Sequence, residues 1–176
     1  MDAMNTTDPI TPTPRLGRYR IDPDATTINF RTRHVFGLLP VRGTFEARGG
    51  TVDVAEPTAA SSVHVEIDAA SFHTGTAQRD REVRSARYLD VERHPVITFE
   101  ADGFDDPGGT HLDGTLTVCG VAQPARLTVH DVDADGSTFT ARAATRVDRT
   151  QHGITAGRGI TGRYLDIDLE VTCVRP

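Results

Sequence analysis

The sequence predicts an all-β protein of antiparallel strands with one short helix, folded as a sandwich or an up-and-down barrel. Three observations carry this. Apolar and polar residues alternate with period two in segment after segment, the pattern of strands with one buried and one wet face. Clusters of Gly, Pro and Asp separate those segments at hairpin spacing. No helical pattern alternates with the strands, so βαβ units and a parallel sheet are excluded. A length of 176 residues suits one domain, and 37% hydrophobic with 25% charged residues is enough apolar material for a core in water.

Tyr19-Ile21 and Ile28-Phe30 flank the turn Asp22-Pro23-Asp24. Val41, Gly43, Phe45 and Ala47 share odd positions, whereas Val52 and Val54 continue at even ones, with Gly49-Gly50 between them. One extra residue there flips the parity, and glycine tolerates the bulge or bend that results. A long strand bent at its middle is how a sheet curls shut. Val63-Val65-Ile67 follows. The stretch from Thr74 to Glu92 is charged and lacks alternation, and Ala77 to Arg87 within it reads as the helix. Then come Ile97-Phe99-Ala101, the turn Asp105-Asp106-Pro107-Gly108-Gly109, Leu112-Gly114-Leu116-Val118, a turn at Gly120, and Ala125-Leu127-Val129. The run Asp133-Ala134-Asp135-Gly136 reads as a turn before Phe139-Ala141-Ala143. The last strand is the clearest: Leu165, Ile167, Leu169, Val171 and Cys173 face one way, Asp166, Asp168, Glu170 and Thr172 the other.

Bulk properties exclude several functions. A net charge of -6 argues against nucleic acid, which needs a basic surface. No stretch approaches the roughly 18 consecutive apolar residues of a spanning helix, so no stable membrane insertion is expected. Met1 to Arg15 carries Pro9, Pro12 and Pro14 among polar residues and reads as a flexible tail, with the domain occupying residues 16–176. The tail has no apolar run of signal-peptide type, so a cytoplasmic location is expected. Cys119 and Cys173 fit no metal-ligand spacing and read as reduced, half-buried strand residues.

The inward positions are small. Gly43, Ala47, Ala101, Gly114, Ala125, Ala141 and Ala143 alternate with mid-sized aliphatics, and there is no Trp. An eight-stranded barrel is about wide enough either to be filled by large side chains or to hold one small ligand. Small inward residues favour the ligand, whose burial gains roughly 0.8 kcal/mol per methylene. The pattern alone leaves open a sandwich whose sheets pack closely over the same residues.

Few residues invite chemistry. His64, His111 and His130 read as isolated surface histidines. His34 sits at a strand end beside Phe36, placed either to bind a ligand head group at the mouth or to cap the barrel. No H-x-H or H-E-x-x-H occurs, so neither metal nor other cofactor is expected. Ser61, Ser62, Ser71 and Ser85 lack a nucleophile-elbow context, and Gly157-Arg158-Gly159 follows no strand-to-helix pattern that would cradle phosphate. The run Arg79-Asp80-Arg81-Glu82-Val83-Arg84 reads either as a solvated face with ion pairs or as a device in which Arg79 and Asp80 pin the helix across the barrel. In the second case Ser71, Thr74 and Tyr88 border the cavity, and Arg79 suits a diphosphate head.

Six segments in order resemble the YceI family of lipocalin-like polyisoprenoid-binding proteins. They are Tyr19-Arg20-Ile21-Asp22 with Ile28-Asn29-Phe30; His34-Val35-Phe36-Gly37 with Val41-Arg42-Gly43-Thr44-Phe45; Ile67 to Gly75 with Arg79-Asp80; His94 to Phe99; Gly114 to Val121; and Asp148-Arg149 with Gly153-Ile154. The resemblance covers about Arg18 to Val174. It departs from the family's common residues at Glu82-Val83, Tyr88-Leu89 and His152. It implies an extended eight-stranded antiparallel barrel enclosing a polyisoprenoid, quinone or fatty chain, often in a homodimer, with no catalysis. With that resemblance, the candidate ligand contacts are Phe30, His34, Phe36, Phe45, Ile67, Phe72, Arg79, Tyr88, Leu89, Phe99 and Leu116. The alternative is a small cyclase or isomerase using His34 or His152 as acid or base.

Overall fold

The computed structural model describes residues 13–105 and 109–176. It contains nine strands: β1 (Gly17–Ile21), β2 (Thr27–His34), β3 (Leu39–Val54), β4 (Ser62–His73), β5 (Val96–Phe104), β6 (His111–Val118), β7 (Val121–Asp135), β8 (Thr138–Asp148) and β9 (Tyr164–Val174). All pairings are antiparallel, and the β3–β4 pairing closes the sheet into a barrel. Nine strands make eight staves because β1 and β2 are collinear. Both pair with β3, β1 opposite its Thr51–Val54 end and β2 opposite Leu39–Phe45, and both pair with β9.

The interruption between β1 and β2 is a single 3-10 turn, Pro23–Ala25, started by Asp22, whose carboxylate accepts the Asp24 N–H. The gap is stitched to β9: Asp22 N–H donates to the Thr172 carbonyl at 2.9 Å, and Thr172 N–H donates to Thr26 Oγ1 at 3.2 Å.

The parity switch in β3 is a bulge. Ala47 opposes Ile67 and Gly49 opposes Glu66, so Arg48 is the extra residue. Gly49 and Gly50 follow with φ of 147° and 149°, and a Cβ on Gly50 would stand 2.1 Å from the His64 carbonyl oxygen. Only glycine fits both constraints. Further register shifts in β5 and β7 bend their strands in the same way.

Two boundaries differ from the sequence reading. The helix, α1, spans Ala77–Arg84 and stops short of Arg87, because Ser85 leaves helical geometry with its hydroxyl on the Glu82 carbonyl. Asp133–Asp135 continues β7, and the β7–β8 turn is only Gly136-Ser137, since cross-strand pairing persists to Asp135 opposite Thr138. The Asp105–Gly109 turn lies partly outside the described residues, as do residues 1–12 of the expected tail. Cys119 is not a strand residue. With Gly120 it forms the two-residue β6–β7 turn, at φ of 52° and 73°.

The up-and-down order separates two ends. The β2–β3 turn, the 74–95 connection with α1, the β6–β7 turn and the 149–163 connection share one end, here the helix end.

Candidate functional site

The helix end is closed by a plug of side chains. Phe30, Phe72, Tyr88, Leu89, Ile97, Val118 and Ile154 form one buried cluster, with Phe45, Ile67 and Leu116 packed against it. Three phenylalanine rings meet there: Phe30 stacks on Phe72 at 5.1 Å, and Phe45 lies 5.6 Å from Phe30 and 5.5 Å from Phe72. At the other end Tyr19, Ile21, Phe139 and Cys173 form a second cluster. Phe99, Ala101 and Leu112 form a third.

Among the described residues these clusters share no buried member and are bridged by the half-buried aliphatics Val65 and Leu116. Mid-strand residues on the inward parity, including Ile167, Leu169, Val171 and Leu127, are also half-buried inside a closed barrel. A filled barrel of this size would show one contiguous buried core. The small inward residues do not all contribute space. A Cβ on Gly43 would sit 2.3 Å from Phe30 Cζ, and one on Gly114 would sit 2.6 Å from Phe99 Cζ. Those two glycines exist to let a phenylalanine ring lie across them.

α1 is anchored by Asp80, whose Oδ1 accepts the Thr74 N–H at 2.9 Å and the Thr74 hydroxyl at 2.6 Å. Asp80 is buried; its neighbour Arg79 is half-buried and has no side-chain partner among the described residues. Only one of the expected pair therefore pins the helix.

Arg79 instead belongs to a cationic corner with His34 and Arg149. Burial first, and then the charges of Arg79 and Arg149, push the His34 imidazole below its ordinary value of 6.5. Arg149 is a residue that sequence reasoning did not single out for a site. It is buried, and its guanidinium donates to three carbonyls: Gly162 at 2.7 Å, Ile154 at 2.8 Å and Thr161 at 3.2 Å. Its Cζ lies 5.8 Å from the ring centre of Tyr88, whose hydroxyl meets Thr161 Oγ1 at 2.8 Å. Its only sequence signal was the Asp148-Arg149 segment, because the carbonyls it serves lie in a loop without pattern.

His152 is buried, and its Nδ1 donates to the Val121 carbonyl at 2.9 Å, tying the 149–163 connection to β7. Of the eleven candidate contacts, Phe30, Phe45, Ile67, Phe72, Tyr88, Leu89 and Leu116 converge on the plug, and Phe99 is joined to it through Leu116. His34 and Arg79 lie in the corner with Arg149, whose guanidinium sits over the Tyr88 ring. Phe36 does not join them: it is 80% exposed on the β2–β3 turn.

Two concave patches on the outer wall, one between Thr51, His64 and Glu100 and one between Asn29, Arg31 and His73, are lined mainly by outward-facing polar residues. Among the described residues no three His, Cys, Asp or Glu side chains converge to hold a metal ion, and no helix is long and apolar enough to cross a membrane.

Comparison with known proteins bears on this geometry. Residues 19–173 match the model of the YceI-like domain. The chain is 30% identical over 157 residues to a UPF0312 protein of Azotobacter vinelandii, covering 84% of this chain and 81% of that one. It is 30% identical over 168 residues to a UPF0312 protein of Pseudomonas putida, covering 89% and 86%. Among solved structures, BcnA of Burkholderia cenocepacia superposes with a TM-score of 0.73 at 22% identity, over 86% of this chain and 98% of that one. A polyisoprenoid binding domain from Saccharophagus degradans superposes at 0.70 and 15% identity, over 92% and 100%. The two structures share the lipocalin-type barrel.

Proposed function

The chain belongs to the YceI-like family, and from that premise we propose that it holds a long hydrophobic or amphipathic chain, of the isoprenoid, quinone-tail or fatty type, along the barrel axis. It carries, stores or sequesters that chain and does no chemistry on it. The carrying observation is the row of half-buried aliphatics on the inward face of a closed barrel, Ile167, Leu169 and Val171 on β9 with Val65 and Leu127 facing them from other staves. The structural likeness to a polyisoprenoid binding domain supports the same ligand class. Apolar walls give affinity in proportion to chain length, about 0.8 kcal/mol per methylene.

The head group of such a ligand belongs at the helix end. Arg79 and Arg149 place positive charge beside the aromatic plug next to the mainly neutral His34 imidazole, and Arg79 has no carboxylate partner among the described residues. A phosphate or diphosphate suits that corner. The same corner argues for binding over an acid-base enzyme, since the charged groups acting on His34 are both arginines, and His152 spends Nδ1 on a backbone carbonyl.

Native mass spectrometry of protein purified without detergent tests the reading. The expected result is a bound species of defined lipid mass that is lost in Leu169→Trp, which narrows the barrel. Protein that is always empty, and stays empty after incubation with polyprenyl phosphate, overturns it.

A further inference from the structure

The β2–β3 turn at the helix end is built against the usual preferences of its residues. Val35, Phe36 and Gly37 have φ of 51°, 54° and 81°, a region that β-branched and aromatic residues avoid. Two hydrogen bonds hold it there, from Val35 N–H to the Ile160 carbonyl and from Phe36 N–H to the Gly159 carbonyl, both 2.6 Å. The clamp drives apolar side chains outward: Phe36 is 80% exposed, Leu38 75%, Leu39 55%, and Ile160 across the clamp 60%. A strained backbone that presents apolar groups to water serves neither packing nor solubility.

The charge around this tip is one-sided. Residues 30–45 and 149–163 contain Arg31, Arg33, Arg42, Arg149, Arg158 and Arg163 and no Asp or Glu, in a chain of net charge -6. Arg31 and Arg163 are paired with Asp168 and Asp148 on neighbouring strands, whereas Arg33, Arg42 and Arg158 have no ion-pair partner among the described residues. The 74–95 connection at the same end is nearly balanced, with Arg79, Arg81, Arg84, Arg87 and Arg93 against Asp80, Glu82, Asp90 and Glu92, whereas at the opposite end Asp22, Asp24, Glu56, Asp105, Asp133 and Asp135 outnumber Arg15, Arg18, Arg20 and Arg175, so the excess of arginine lies at the helix end. Tyr164, 45% exposed at the start of β9, has the Arg163 and Arg146 guanidinium carbons 5.1 Å and 5.5 Å from its ring centre. An exposed tyrosine flanked by arginines matches the headgroup level of a bilayer.

We infer that this tip docks the barrel, helix end first, on an anionic lipid bilayer surface. Phe36 and Leu38 enter the acyl boundary, and Arg33, Arg42 and Arg158 meet lipid phosphates. The docking is peripheral and spans nothing. A second copy of the chain fits the tip less well, because a two-fold contact sets arginine against arginine with no carboxylate on either segment. The inference stands apart from the lumen's ligand, since it concerns the outer surface alone.

Flotation of the full chain with vesicles of phosphatidylcholine, alone or mixed with phosphatidylglycerol, tests it. The protein is expected to float with the mixed vesicles, to stay behind with the neutral ones, and to be released by high salt. The double substitutions Phe36→Asp with Leu38→Asp and Arg33→Glu with Arg158→Glu are each expected to lower partitioning about tenfold. All four side chains are exposed, and aspartate accepts positive φ better than phenylalanine, so melting temperature stays unchanged. Wild-type indifference to phosphatidylglycerol, or double variants that float like wild type, overturns the proposal. So does loss of a dimer in those variants with partitioning unaltered, which identifies a self-association surface instead. An empty barrel in mass spectrometry leaves the vesicle result untouched, so the two readings fail separately.

Discussion

Asp80 holds Thr74 by two hydrogen bonds to a single carboxylate oxygen, one from the backbone N–H and one from the hydroxyl. This fixes the first turn of α1 to the end of β4 and so sets where Tyr88 and Leu89 enter the plug. Asp80→Ala leaves both Thr74 donors without their acceptor in a buried site and is expected to cost about 2–3 kcal/mol. Thr74→Val removes one donor and is expected to cost about 1 kcal/mol. Asp80→Asn keeps an acceptor and falls between them. Urea midpoints order the three variants, and an Asp80→Ala cost no larger than that of Thr74→Val contradicts the anchoring role.

Gly43→Ala and Gly114→Ala test whether small inward residues make room for ligand or for protein. A methyl at Gly43 meets Phe30 Cζ at 2.3 Å and the His73 carbonyl at 2.5 Å; one at Gly114 meets the Glu100 carbonyl at 2.4 Å and Phe99 Cζ at 2.6 Å. Each substitution is expected to destabilise by about 1–3 kcal/mol, because a ring and a backbone segment must both move. Pairing Gly43→Ala with Phe30→Leu recovers only part of the loss, since the His73 carbonyl stays in place. Thermal melts of the two single variants and the double variant decide it.

Much of the barrel was legible because period-two alternation is a local signal. The parity change between Ala47 and Val52 located the β3 bulge to within a residue of Arg48. What was not legible depends on partners distant in sequence. The alternation shows that Gly43 faces inward but not that Phe30 lies over it. Phe36 stands among the candidate contacts, yet the turn points it outward, because its conformation is set by the carbonyls of Gly159 and Ile160, over 120 positions away. Arg149 was invisible as a site residue for the same reason: its acceptors are backbone groups, which no composition reveals.

The two thiols are expected to be inert in the folded chain. Cys173 is buried, and burial pushes its thiol up to about 12. Cys119 is raised by burial and by the Asp90 charge, and its S–H donates to the Leu89 carbonyl at 3.1 Å and the Tyr88 carbonyl at 3.4 Å. Thiolate is the reactive form, so both are protected at neutral pH. They occupy opposite ends of the barrel and do not pair with each other. A chromogenic disulfide reagent is expected to label neither thiol at pH 7.5 and both in denaturant. Fast labelling of Cys119 in the native state contradicts the tight β6–β7 turn.

His34 offers a direct reading of the cationic corner. Its imidazole is held below 6.5 by burial and then by Arg79 and Arg149. Below pH 6.5 the unfolded chain takes up this proton more readily than the folded one, so stability falls as pH drops through the folded value. Above pH 6.5 the contribution is complete. His34→Gln is expected to flatten that part of the stability profile. Arg79→Gln removes one positive neighbour and leaves the burial, so His34 is expected to titrate at higher pH than in wild type yet still below 6.5. Proton NMR of the His34 ring measures both. The same Arg79 variant is expected to lose preference for a prenyl diphosphate over the prenyl alcohol of equal length, while affinity for the alcohol is unchanged. An unaltered preference, together with the shifted His34 titration, would place Arg79 in the corner but remove the head group from it.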